Sequence, residues 1–214
     1  MKENTFLQQL LNRYSNLKHQ EDAINNAVDL ITGTFKNGGK LLVCGNGGSC
    51  SDADHIVGEL MKSFEGHRPL NSELQQKLGD ISYERGTRLA RELQQGLPAI
   101  SLTAHNALIT AIANDIDGDM IYAQQVTGLG QKGDVLLGLS TSGNSQNVID
   151  ALIVARAKGL KTIAMTGDSG GQMRKFCDVL INVPEKRTAY VQELHLPVYH
   201  TICMMIENEL FNNH

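Results

Sequence analysis

Two short stretches of the chain carry the residue types that seat an anion: Gly45-Asn46-Gly47-Gly48-Ser49, and Ser140-Thr141-Ser142-Gly143-Asn144-Ser145. Glycine lets the backbone approach a ligand closely, and clustered hydroxyls add donors for phosphate oxygens. Each stretch follows an apolar run and feeds a helical pattern, and a helix N-terminus offers free N–H groups and partial positive charge to an anion. Neither holds the Gly-Lys-Ser/Thr of a Walker loop or the spacing of a dinucleotide fingerprint. Ser and Asn are also ordinary helix caps, so either stretch alone has a plain structural reading. Two at matching places in a strand–helix pattern point to a phosphorylated ligand, because ligands bind beyond the carboxyl ends of parallel strands. Neither stretch contains Lys or Arg, which implies a phosphate held by backbone and hydroxyl groups. A third stretch, Thr166 to Gly171, holds Asp168, which would repel an anion, and reads as a turn.

A second set of residues has the chemistry to move protons or hold a metal. His55 and Glu59 stand four apart on the helix leaving the first loop, hence on one face. Such a pair can ligate zinc, act as acid and base, or form a plain surface couple. Asp52 and Asp54 are expected to complement the dipole of that helix's first turn. Near the C-terminus, Gln192, Glu193, His195 and His200 surround Pro197. In one straight helix Gln192 and His200 would be about 12 Å apart along the axis and about 80° apart around it. Spacing therefore does not place them in one site, although Pro197 could kink or start the helix and leave Gln192 on an entry turn. Among the cysteines, Cys44 and Cys203 fall in apolar runs and read as reduced core residues. Cys50 opens a helix, where a thiol can be activated, but no adjacent base is evident.

These residues need elements to hold them. Apolar positions from Phe6 to Leu17, and again from Ala23 to Ile31, recur at helical spacing, so about Asn4 to Phe35 reads as two amphipathic packing helices. Five apolar runs follow: Lys40–Cys44, Ala99–Leu102, Asp134–Leu139, Thr162–Thr166 and Val179–Val183. Helical stretches separate most of them, which predicts βα units and a mainly parallel sheet whose strands, buried on both faces, read as continuous apolar runs. About Tyr190 to Phe211 reads as a long helix with Val191, Leu194, Val198, Ile202, Met205, Ile206 and Leu210 inward. Residues 66–96 are too polar for a core element. They read as a solvated excursion or interface arm, with a substrate lid as the sharper alternative. Leu89, Leu93 and Leu97 hint at a short helix there.

Composition narrows the function classes. The 214 residues contain 41% hydrophobic and 20% charged residues, as in an ordinary globular protein. A net charge of −4 gives no footprint for direct nucleic-acid or anionic-membrane binding. No run approaches a transmembrane span, and acidic and amide residues stand where a signal peptide would be apolar, so a cytoplasmic protein is expected.

Taken together, the segments CGNGGSCSDADHIVGEL (44–60), AIAND (111–115), GDVLLGLSTSGNSQNVI (133–149) and VQELHLPVYH (191–200) resemble the sugar-isomerase (SIS) domain and specifically the phosphoheptose isomerase family. The resemblance covers nearly the whole chain. It implies a single SIS domain over 1–214, a three-layer αβα sandwich with a five-stranded parallel sheet in flavodoxin-like order, N-terminal packing helices over 1–36 and a polar insertion at 66–96. It implies an aldose–ketose isomerase that converts sedoheptulose 7-phosphate to D-glycero-D-manno-heptose 7-phosphate through an enediolate. Ser140, Thr141, Ser142 and Ser145 would hold the phosphate. Asn46, Gly47, Gly48, Ser49, Asn114 and Asp115 would contact the sugar, with Glu59 and Gln192. His55, Glu59, Gln192 and His200 would match zinc ligands, leaving structural roles for Glu193 and His195, such as orienting those ligands. The chemistry of isomerisation, which needs a base at carbon and an acid at the oxygens, assigns Glu59 and His200 to those two tasks. Family members are commonly homotetramers with interface sites, so these groups could come from different chains.

Three departures bear on the substrate. Many relatives carry an arginine where this chain has Ser63, preceded by Lys62; Cys50 and Ser51 replace small alanines; and the 66–96 stretch is longer than usual. Two alternatives accompany the isomerase. One is a regulatory relative of the SIS protein that binds the bacterial replication initiator, which keeps much of the motif set; the other is an amino-sugar isomerase or deaminase. A sugar-responsive transcription factor is not expected, because no basic helix-turn-helix segment precedes the domain.

Overall fold

The computed structural model describes residues 5–211; the expected helix start at Asn4 and the outer ends of the 1–214 and 1–36 units lie outside them. Five parallel strands, β1 (Leu41–Gly45), β2 (Ala99–Ser101), β3 (Val135–Ser140), β4 (Lys161–Thr166) and β5 (Val179–Asn182), form one sheet in the order β2-β1-β3-β4-β5. This is the flavodoxin-like order, and the expected runs match the strands to within a residue or so at each end. Strand alternation divides the core. Leu41, Val43, Val135, Leu137, Ile163 and Met165 face one layer, and Leu42, Cys44, Leu136 and Ala164 the other.

On the first face pack α1 (Thr5–Arg13), α2 (Glu21–Lys36), α3 (Gly48–Met61) and α9 (Thr188–Phe211), with a 3₁₀ turn at Ser15–Gln20 joining α1 to α2. On the second pack α7 (Ile121–Leu129) and α8 (Gln146–Ala157), while α6 (Asn106–Asp115) lies mostly exposed with Ile112 as its buried anchor. The result is the expected three-layer αβα sandwich. Pro197 sits inside α9, which runs unbroken from Thr188, so it neither starts nor ends that helix.

The 66–96 stretch contains two helices where the sequence hinted at one. α4 (Ser72–Ile81) and α5 (Tyr83–Glu92) form a hairpin, closed at its base by a bridge between Pro69 and Gln94. Asn71 caps α4 and Ser82 caps α5. No α4 residue is buried, which agrees with its polarity; Leu97, just beyond the hairpin, is in the core. Gly86 is required where the helices cross, since a β-carbon there would run into the Leu78 carbonyl.

Candidate active site

β1 and β3 are neighbours, so the loops leaving their carboxyl ends lie side by side. Asn46 and Asn147 join them by reciprocal carboxamide hydrogen bonds of 2.8 and 3.0 Å. Tyr122 donates to the Gly45 carbonyl at 2.5 Å and ties the first loop to α7. Between the loops is a cavity of about 280 Å³ lined by Asn46, Gly47, Gly48, Ser49, Leu139, Ser140, Thr141, Ser145, Thr188 and Gln192. Among the described residues, no Lys or Arg lines it. Ser140 Oγ lies 2.8 Å from Ser145 Oγ and 3.5 Å from Ser142 Oγ, giving a cluster of hydroxyls at the start of α8. Ser142 itself is exposed and accepts from the Asn144 amide at 3.1 Å.

The Thr166–Gly171 turn, read as nonbinding, braces the phosphate-type loop. The Gly167 amide donates to the Thr141 carbonyl at 3.0 Å, and the Met173 amide to that of Gly143 at 3.0 Å. Gly143 has φ +67° and packs against the Gly170 carbonyl, so no side chain fits there.

α3 and α9 run side by side from this cavity. At its rim the Gln192 carboxamide lies against Gly48, where a β-carbon would collide with it. About two turns on, His55 Nε2 stands 3.1 Å from Glu59 Oε1 and 3.4 Å from His200 Nε2. Lys62 Nζ lies 3.3 Å from Glu59 Oε2, so a cation reaches this carboxylate. Burial lowers the His200 pKa, the neighbouring His55 lowers it further, and Glu59 opposes both.

Of the four expected metal ligands, His55 therefore neighbours both Glu59 and His200, but among the described residues no three His, Cys, Asp or Glu side chains form a group that could hold a metal ion, and Gln192 stays at the cavity. Asn114 and Asp115 do not line that cavity; they are exposed at the end of α6, bonded to each other at 2.8 Å. His195 has a structural role, but on β4 and not beside the expected ligands. His195 is fully buried with Nε2 at 3.2 Å from the Thr166 carbonyl, fastening α9 to β4, and Glu193 is exposed beside a groove between α1 and α9. Asp52 and Asp54 lie beyond the first turn, because α3 begins at Gly48. Asp54 accepts from Thr103 at 2.6 Å, and Asp52 accepts from the Tyr199 hydroxyl at 3.2 Å, which in turn lies 3.0 Å from His55 Nδ1. Burial raises the Asp52 pKa, and the Tyr199 bond and His55 partly offset it. Burial pushes the Cys44 and Cys203 thiols up to about 12, which keeps them inert core groups.

Sequence reasoning missed Tyr199 and the pair that anchors the far end of α3. Arg68 Nε lies 2.6 Å from Glu207 Oε1, with both side chains buried. Glu207 also accepts from the amides of Phe64, Glu65 and Gly66, and Arg68 donates to the Leu60 carbonyl at 2.8 Å. Glu207, a carboxylate beside the apolar run of α9, was the available signal.

A five-stranded parallel sheet with two hydroxyl- and glycine-rich loops at its carboxyl edge defines a SIS domain, and the SIS domain family model matches residues 5–93 and 78–167. The phosphoheptose isomerase of Synechocystis sp. is 42% identical over 88% of this chain and 84% of its own length. That of Aliarcobacter butzleri is 40% identical over 91% and 89%. Among solved structures, the phosphoheptose isomerase of Neisseria gonorrhoeae superposes with a TM-score of 0.74 at 34% identity, covering 95% of each chain. The chain belongs to the phosphoheptose isomerase family.

Proposed function

We propose that this chain interconverts sedoheptulose 7-phosphate and D-glycero-D-manno-heptose 7-phosphate through an enediolate, with zinc as its metal. The observation that carries the reading is the placement of a hydroxyl-lined, cation-free cavity and a His–Glu–His cluster on the same pair of helices. Seven residues of α3 separate Gly48 from His55, about 10 Å along the axis. An extended heptose 7-phosphate spans about 8 Å from its phosphorus to C2, so a phosphate seated by Ser140, Thr141, Ser142 and Ser145 brings the reacting carbons toward the cluster. Asn46, Gly47, Gly48, Ser49 and Gln192 would then line the sugar.

The donor set suits zinc. His55, Glu59 and His200 would supply the nitrogen and oxygen donors that zinc takes. Among the described residues, no three His, Cys, Asp or Glu side chains yet close around one point, so the reading requires Glu59 and His200 to draw together and Gln192 or a substrate oxygen to complete the set. When bound, zinc would polarise the carbonyl and stabilise the enediolate. Glu59 removes the carbon-bound proton beside the carbonyl and returns it to the neighbouring carbon. His200, whose pKa burial lowers, moves protons between the two oxygens.

The reading includes a cytoplasmic homotetramer. The four free cysteines support the compartment, because disulfides are uncommon there. The exposed Asn114 and Asp115 would reach the sugar from a neighbouring subunit. Turnover of sedoheptulose 7-phosphate, assayed with and without a chelator, tests the proposal. Glu59→Gln should lower kcat by about 10²–10⁴-fold with phosphate binding retained. No turnover by the zinc-supplemented wild type would refute the reading.

A further inference from the structure

The loops assigned above to the sugar and to its phosphate are joined by a side-chain pair, Asn46 and Asn147, and of the two only Asn46 lines the cavity. We propose that Asn147 is a positioning residue: from the first turn of α8 it fixes the Asn46 carboxamide beside the sugar, so that the phosphate loop sets the geometry of the sugar loop. The proposal rests on the phosphosugar reading above.

Asn147 stands on a rigid element. It is the second residue of α8, and Val148 and Ile149 after it are buried in the core. Asn46 has no such support. It is exposed in the short loop between β1 and α3, and Gly47 after it has φ +57°, a conformation that glycine alone adopts readily. Its carbonyl accepts from the Ser49 amide at 3.0 Å, a bond that leaves χ1 and χ2 free. An unbonded carboxamide there would have to be ordered when substrate binds, and a preformed pair removes that cost from the binding step.

A carboxamide carries an acceptor and a donor side by side, so two that face each other are satisfied reciprocally. Asn46 Nδ2 donates to Asn147 Oδ1 at 2.8 Å, and Asn147 Nδ2 donates to Asn46 Oδ1 at 3.0 Å. Serine, aspartate or alanine at 147 could not make both bonds. The Tyr122 hydroxyl also neighbours Asn46, 3.2 Å from Oδ1, but it has one proton and lies closer, at 2.5 Å, to the Gly45 carbonyl. Turning both amides over together keeps both bonds of the pair and gives the phenol oxygen a donor, so the Asn46 carboxamide plane is fixed in either sense. Either way Asn46 retains a hydrogen or a lone pair for a sugar hydroxyl, which can donate or accept.

The test uses the full chain with Asn147→Ala, Asn46→Ala and the two combined. Asn147→Ala should lower kcat/KM for sedoheptulose 7-phosphate about 10-fold. Inorganic phosphate should bind the variant as it binds the wild type, because the serine hydroxyls and the start of α8 are untouched. In the Asn46→Ala background the same substitution should cost almost nothing further, since Asn147 reaches the sugar only through Asn46. ¹⁵N relaxation of the Asn46 side-chain amide in the ligand-free protein should show it ordered in the wild type and mobile in Asn147→Ala. Additive losses in the double variant, phosphate binding that weakens in Asn147→Ala, or an Asn46 amide equally ordered in both proteins overturns the proposal. An inactive wild type whose Asn46 amide still becomes mobile in Asn147→Ala refutes the heptose reading and upholds the positioning role.

Discussion

His195 shows how burial, and not residue type, assigns a role. A carbonyl can only accept, so its contact with Thr166 fixes the proton on Nε2; Nδ1 is buried with no hydrogen-bond partner among the described residues, and burial pushes the pKa down to about 4. The unfolded chain therefore takes up a proton that the folded one refuses. This stabilisation is complete above an unfolded value near 6.5 and is lost as pH falls from there toward about 4, about 3 kcal/mol in all. Urea melts should show that decline, and His195→Gln, which keeps a donor for the carbonyl, should flatten most of it; an unchanged slope would contradict the assignment. The sequence made His55, Glu59 and His200 visible because chemistry-bearing residues stand out by type. It could not separate them from His195, because which histidine faces the cluster depends on how α9 packs against α3 and β4.

Elements were legible wherever local pattern and burial agree. Double-sided burial writes parallel strands as apolar runs such as Leu136–Leu139, and the amphipathic stripe of α2 marks its packed face. The α4–α5 hairpin was not legible, because helices with no core face carry only caps and propensity as signals. Nor was the clamp at the end of α3, whose partners lie 139 residues apart. Burial opposes ionisation of Glu207, but three backbone amides and Arg68 outweigh it and hold the carboxyl below its usual range. That clamp fixes the segment following Glu59 to α9, so it positions the proposed base as well as the fold. Glu207→Ala would leave the Arg68 charge buried and unpaired, and should cost about 3–5 kcal/mol in denaturant unfolding. A loss indistinguishable from that of a surface substitution would show that the clamp contributes little.

At the scale of the whole molecule, the single chain presents apolar surface in two places next to proposed functional groups. A cavity of about 300 Å³ between α1 and α9 is lined by Phe6, Tyr14, Phe64, Leu196, Pro197 and His200, among others, and so shares His200 with the cluster. A larger one, about 860 Å³, lies between α6 and α7 and is walled by Ile100, Ala104, Leu108 and Leu129, on the helix that ends in Asn114 and Asp115. Water against such surfaces is unfavourable, and subunit packing would remove it while bringing α6 toward another chain's sugar site. The homotetramer reading therefore ties assembly to catalysis. Light scattering should give four times the 23.4 kDa chain mass. Leu196, 40% exposed, is the substitution of choice, because Leu196→Asp puts a charge in the α1–α9 groove without touching the phosphate loops. The variant should fall to a smaller assembly with turnover reduced in parallel, while its far-ultraviolet circular dichroism is unchanged. Full activity in a monomer would separate the two, and would require Asn114 and Asp115 to be dispensable for the sugar.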